Sequence, residues 1–126
     1  MVVELNAYSG SGGGGSGAAP DASPTHGQAA SVPTNAETTV VSRLVPGGWK
    51  YKLTQVIATG SAEAEWYVYD DATEVYRTRT SAAVRGMDIL HGNAIPFLAG
   101  HTVSLKVVHQ DPSTQNFYGT LLGYDA

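Results

Sequence analysis

The chain has 126 residues, with 11 acidic against 7 basic side chains, a formal charge of −4 and no cysteine. Without a basic cluster, the charge that drives phosphate-backbone binding is missing, which argues against nucleic acid and against anionic membranes as partners. The lack of cysteine excludes a disulfide framework and thiolate metal sites, no apolar run approaches the roughly 20 residues of a membrane-spanning helix, and Met1-Val2-Val3-Glu4 does not read as a secretion signal.

Residues 1–37 differ in composition from the rest. They hold seven of the 15 glycines and three of the six prolines, and no lysine or arginine. An apolar octet, Met1 to Tyr8, precedes the run from Ser9 to Gly17, whose Gly/Ser composition is that of flexible coil. Pro20, Pro24 and Pro33 then favour an extended path. Residues 1–37 are therefore expected to be an extended N-terminal arm, with Val2, Val3, Leu5 and Tyr8 as its partner-binding tip, and residues 38–126 one β-sandwich domain.

From Thr39 the sequence alternates apolar and polar residues in short runs between turn signals. Thr39 to Val45 is one such run, ended by Pro46-Gly47-Gly48. In Trp49 to Thr59, strict alternation places Trp49, Tyr51, Leu53, Gln55 and Ile57 on one face and Lys50, Lys52, Thr54, Val56 and Ala58 on the other. Glu63 to Tyr69 directs Ala64, Trp66 and Val68 inward, and Asp70-Asp71-Ala72-Thr73 turns it into Glu74 to Thr80 as a hairpin. Further strands are expected at Val84–Leu90, Ala94–Leu98, Thr102–His109 (Val103, Leu105 and Val107 inward) and Asn116–Leu122. No helical period runs for ten residues or more. About eight strands with regular turns predict an all-β, antiparallel, jelly-roll-like β-sandwich, ahead of an immunoglobulin-like one.

Catalytic chemistry finds little support. His26, His91, His101 and His109 show no metal-ligand spacing, and the last two flank one strand at about 27 Å apart. Glu63 and Glu65 share a face that reads as solvated, and Asp70-Asp71 as turn residues rather than a calcium loop. There is no Gly-x-Ser-x-Gly elbow and no phosphate loop with its lysine. No enzyme activity, cofactor or metal is expected. The aromatic inventory is the unusual feature: two tryptophans and seven tyrosines against two phenylalanines. Period two puts Tyr67 and Tyr69 opposite Trp66, so some rings must lie outside the core, where Tyr and Trp dominate interfaces and stack on sugars. Tyr67, Tyr69, Tyr76, Tyr118 and Tyr124 are the candidate surface contacts, and Trp66 and Tyr51 are assigned to the core.

The stretches Trp49-Lys50-Tyr51-Lys52-Leu53-Thr54-Gln55-Val56, Phe97 to Val107 and Thr114 to Tyr124 give residues 39–126 a likeness to small β-sandwich virion proteins of tailed bacteriophages. The body most resembles head decoration, or cement, proteins. That resemblance implies a structural protein, assembled in the host cytoplasm, that binds the outside of a phage capsid. It also implies a homo-oligomer, commonly a trimer, that contacts the major capsid protein and bridges capsomers through its sandwich and arm. A carbohydrate-binding β-sandwich, on a phage fibre or a secreted protein, is the alternative; its candidate cluster is Tyr67, Tyr69 and Tyr76 with Glu65 and Arg77.

Overall fold

The computed structural model describes residues 22–81, the backbone of 86–89, and 94–126. These residues form nine strands: β1 (Thr25–Val32), β2 (Thr38–Leu44), β3 (Tyr51–Gly60), β4 (Ala64–Asp70), β5 (Thr73–Thr80), β6 (Gly86–Ile89), β7 (Ile95–Phe97), β8 (Thr102–Val108) and β9 (Gln115–Asp125). All pairings are antiparallel. One sheet runs β1-β9-β3-β6, with β7 also pairing β3; the other runs β2-β8-β4-β5. The chain changes sheet at most connections, while β4 and β5 form the expected hairpin.

Between the sheets lies one core. From the first sheet come Tyr51, Leu53, Val56, Ala58, Phe97, Phe117 and Leu121; from the second come Val40, Val41, Ala64, Trp66, Val68, Val103, Leu105 and Val107. Trp66 meets Phe117 edge to face across the gap, with centroids 5.6 Å apart, and its indole N–H donates to the Thr80 hydroxyl at 3.1 Å. The buried polar edge of the ring is thus satisfied, and the pair joins the two layers at their centre. The inward sets expected for β4 and β8 are the buried ones, and Trp66 and Tyr51 are core residues as anticipated.

Strand β3 departs from strict alternation. Tyr51 and Leu53 point inward, as expected from period two, but further along Val56 and Ala58 are buried while Ile57 is exposed. The pairing with β9 shifts register between Leu53 and Gln55, so one extra residue re-phases the strand and exchanges its faces. The bulge gives both halves an apolar inner face, which strict alternation could not.

The second departure concerns the N-terminal region. Residues 25–32, expected in the arm, form β1, which pairs with β9 from Thr25↔Leu121 to Val32↔Gln115. The sandwich therefore includes residues 25–32, which were expected in the arm; residues 1–21, including Val2, Val3, Leu5 and Tyr8, lie outside the described residues. β1 contributes only Ala29 and Val32 to the core, and they reach it from positions three apart because Ser31 takes a left-handed conformation (φ 54°) and bulges the strand. A methyl group on Gly27 would stand 2.3 Å from the Val40 carbonyl oxygen and 2.9 Å from the Val41 Cα, so β1 approaches β2 as closely as only glycine permits.

At one end of the sandwich the Arg43 Nη2 lies 2.9 Å from the Asp125 Oδ1, the carboxylate being 1% exposed, and its guanidinium sits 4.5 Å over the Tyr51 ring. This ion pair ties β2 of one sheet to the end of β9 in the other. Gly27→Ala is expected to destabilise the domain by about 1–3 kcal/mol, because the clash is with backbone that cannot rotate away. A urea midpoint identical to that of the parent would show that β1 is not seated against β2.

Candidate functional site

The two outer faces carry different chemistry. On the second sheet, Tyr67 and Tyr69 project outward from β4 with ring centroids 6.4 Å apart. Arg77 of β5, the register partner of Tyr67, lies 4.8 Å over its ring, and Lys106 of β8 lies 4.5 Å over Tyr69. The Tyr67 hydroxyl donates to Glu65 at 2.9 Å and that of Tyr69 to Glu37 at 3.0 Å. Arg77 makes two bonds, of 3.0 and 2.9 Å, to the carboxylate of Glu74, and Lys106 stands 3.9 Å from Glu37. Partial burial and then the bond to Glu65 raise the Tyr67 hydroxyl above its ordinary pKa. The bond to Glu37 is the main cause of the same shift at Tyr69. Rings, cations and carboxylates here satisfy one another.

Tyr76 does not join this cluster. It pairs with Val68 on the inner side of β5 and packs against the core, because the register shift between Val68 and Tyr69 makes Val75 the extra residue. The five-residue sugar-binding cluster expected from the sequence is therefore incomplete.

The outer face of the first sheet is built from alternate residues of β9, namely Tyr118, Thr120, Leu122 and Tyr124, opposite the inward Phe117, Gly119 and Leu121. Neighbouring strands add Thr59, Ile57, Gln55 and Lys52 from β3, paired in register with those four, and His26 and Gln28 from β1. Tyr118 is 51%, Tyr124 44% and Ile57 37% exposed. His26 Nδ1 shares a hydrogen with the Thr120 hydroxyl at 2.9 Å. Among the described side chains of these three strands, Lys52 is the one formal charge on this face. It is a broad surface of rings, hydroxyls and amides, and among the described residues its rings carry none of the cation contacts found on the opposite face.

A third grouping was not foreseen from the sequence. Asp70 at the end of β4, Asp71 in the hairpin turn and His101 just before β8 bring one ligand atom each within 4.8 Å of one another. His101 Nδ1 is 2.7 Å from the Asp70 Oδ1 and 3.7 Å from the Asp71 Oδ2. Asp71 is a turn residue, with φ 52°, but its bonds run to β8 rather than to the turn's own backbone: its N–H donates to the Thr102 carbonyl, and its Oδ1 accepts the Thr102 N–H at 2.8 Å. The sequence could not show the trio because 31 residues separate Asp70 from His101. The hydrogen bond between His101 and Asp70, an ion pair when the imidazole is protonated, fastens the hairpin to the start of β8.

Each remaining described histidine has a structural partner. His109 is fully buried; its Nδ1 accepts the Asp111 N–H at 3.1 Å, so its Nε2 carries the proton and donates to the Val32 carbonyl at 2.7 Å. It clamps the end of β1 to the end of β8. His91 lies outside the described residues. Compared with protein-family models, with curated proteins and with solved structures, the chain matches none.

The carboxylate of Asp70, through its hydrogen bond and then its charge, raises the His101 imidazole above its ordinary pKa. A raised folded-state value means that this contact stabilises the fold fully below the unfolded imidazole pKa, and that the contribution fades as pH rises through the folded value. NMR titration of the His101 ring is expected to show the upward shift, with Asp70→Asn returning it toward the ordinary value; an unshifted ring in the parent would contradict the pairing.

Proposed function

We propose that the protein is a non-enzymatic structural component of a tailed-phage virion, docking on the outer surface of the capsid as a decoration protein. The docking surface is the outer face of the first sheet, centred on Tyr118, Ile57 and Tyr124. The observation that carries this reading is the contrast between the two faces. Burying the second sheet's outer face would require stripping water from Glu65, Glu74, Arg77 and Lys106, whereas β1, β9 and β3 of the first sheet offer aromatic and aliphatic surface with Lys52 as their one described charge, and Asp88 of β6 stands in register with Ile57 at the edge. Tyrosine-rich, charge-poor patches are the surfaces that protein partners cover.

The strand order supports the finer reading of the fold as a jelly roll. Orders β1-β9-β3-β6 and β2-β8-β4-β5, with strands that alternate between sheets, correspond to two interlocked Greek keys. In that arrangement β6 and β7 together occupy one strand position beside β3. The arm of the proposed assembly is the segment ahead of Thr25, and trimerisation on the major capsid protein would supply the burial that a domain of this size lacks alone. The sugar-binding alternative is disfavoured by the ring contacts of Arg77 and Lys106 and by the inward turn of Tyr76.

Co-sedimentation with purified shells of the phage that encodes the chain tests the proposal. The parent protein is expected to pellet with shells, and Tyr118→Asp and Ile57→Lys, both on the outer face of the sheet, to weaken association at least tenfold while leaving thermal unfolding unchanged. A parent that stays in the supernatant, or variants that bind as the parent does, would contradict it.

A further inference from the structure

At the end of the sandwich where β3 begins, the turn after β2 and the turn after β7 border an open groove of about 640 Å³. Its larger apolar lining residues are Trp49, which is half-buried, and Leu98, which is 53% exposed, beside Ala99 and Ala126; Lys50 and Lys52 are its charged side chains. No carboxylate side chain pairs with either lysine among the described residues. Both bordering turns are fixed by glycines in the left-handed region, Gly48 (φ 85°) and Gly100 (φ 84°), and the N–H of Lys50 and that of Ala126 each donate to the other residue's carbonyl. The groove is therefore a firm concavity with an apolar floor and a positive rim.

We infer that this groove is the docking site for residues 1–8 of the same chain. Three observations converge on that occupant. The octet Met1-Val2-Val3-Glu4-Leu5-Asn6-Ala7-Tyr8 is apolar, and Glu4 is its one charged side chain, so it complements a floor of Trp49 and Leu98 beneath Lys50 and Lys52. In an extended segment Val3 and Leu5 share a face and Glu4 takes the other, which lets the two apolar side chains meet the floor while the carboxylate reaches the lysine rim. Geometry supplies the third. β1 starts at Thr25 opposite Leu121 of β9, and Lys52 lies opposite Tyr124, three residues further along the same strand. The chain thus enters the sandwich roughly 15 Å from the groove, taking about 3.4 Å per residue and about 4.8 Å per strand.

Residues 9–21 connect the octet to the described chain. A Gly/Ser-rich segment of that length has a root-mean-square span of about 20 Å, which matches the distance to be covered. Such a match places the tip at a local concentration in the millimolar range, so even a weak contact is occupied within one molecule. The inference does not depend on the capsid reading, since it concerns the free protein; the groove borders the Tyr118 face at Lys52, which stands opposite Tyr124.

Acrylamide quenching of tryptophan fluorescence in the full-length chain tests it. Trp66 is 1% exposed and gives a quench-resistant background, so the accessible signal reports on Trp49. Val3→Asp combined with Leu5→Asp alters no described residue and is expected to raise the quenching constant at least twofold, independently of protein concentration. Glu4→Lys and Lys52→Glu are each expected to raise it, and the double swap to restore protection. Equal quenching in parent and Val3/Leu5 variant would overturn the inference, as would protection that appears only as concentration rises, which would put the octet on a second copy.

Discussion

β9 pairs with β3 over almost its whole length on one side and with β1 on the other, and the positions of the remaining strands follow from that three-strand unit. Its inner residues leave little latitude. Phe117 meets Trp66 of the opposite sheet, and at Gly119 any side chain would press on Leu105 and Val40 across the gap. Close packing at this seam fixes the spacing of the layers. It also fixes the outer surface, because β9 residues facing away from the core must then be Tyr118, Thr120, Leu122 and Tyr124.

The functional argument grows from that alternation. One sheet faces outward with charges already engaged: Arg77 with Glu74 and Tyr67, Lys106 with Tyr69 and Glu37. Pairs of this kind contribute little stability at a surface, yet they resist dehydration, so they mark a face suited to water. The other sheet presents large rings and hydroxyls that lose little on contact with protein. Under the proposed function the face of paired charges is the one kept wet and the face of rings and hydroxyls the one that docks.

Legibility in the sequence tracked how local the determining interactions are. β4 and β8 alternate without interruption, and their inward sets, Ala64, Trp66, Val68 and Val103, Leu105, Val107, could be read directly. The run that forms β3 is visible in the sequence, but its faces are not, because the extra residue near Thr54 is specified by pairing with β9 rather than by the run itself. β1 was hidden among small polar residues flanked by prolines; Ala29 and Val32 share a face only through the bulge at Ser31. Tyr67 and Tyr69 were legible as outward, whereas Tyr76 was not legible as inward, since that depends on a register shift in the hairpin. The Asp70, Asp71 and His101 contact and the Arg43–Asp125 pair join residues distant in sequence, and no local pattern announces them.

Hydroxyl-radical footprinting of the protein free and bound to phage particles, read by mass spectrometry at individual tyrosines, tests the docking face most directly. Tyr118 and Tyr124 are expected to lose most of their reactivity on binding while Tyr67 and Tyr69 keep theirs. Protection of Tyr67 and Tyr69 with Tyr118 and Tyr124 left reactive would contradict the account, because it would place the charge-laced sheet against the partner.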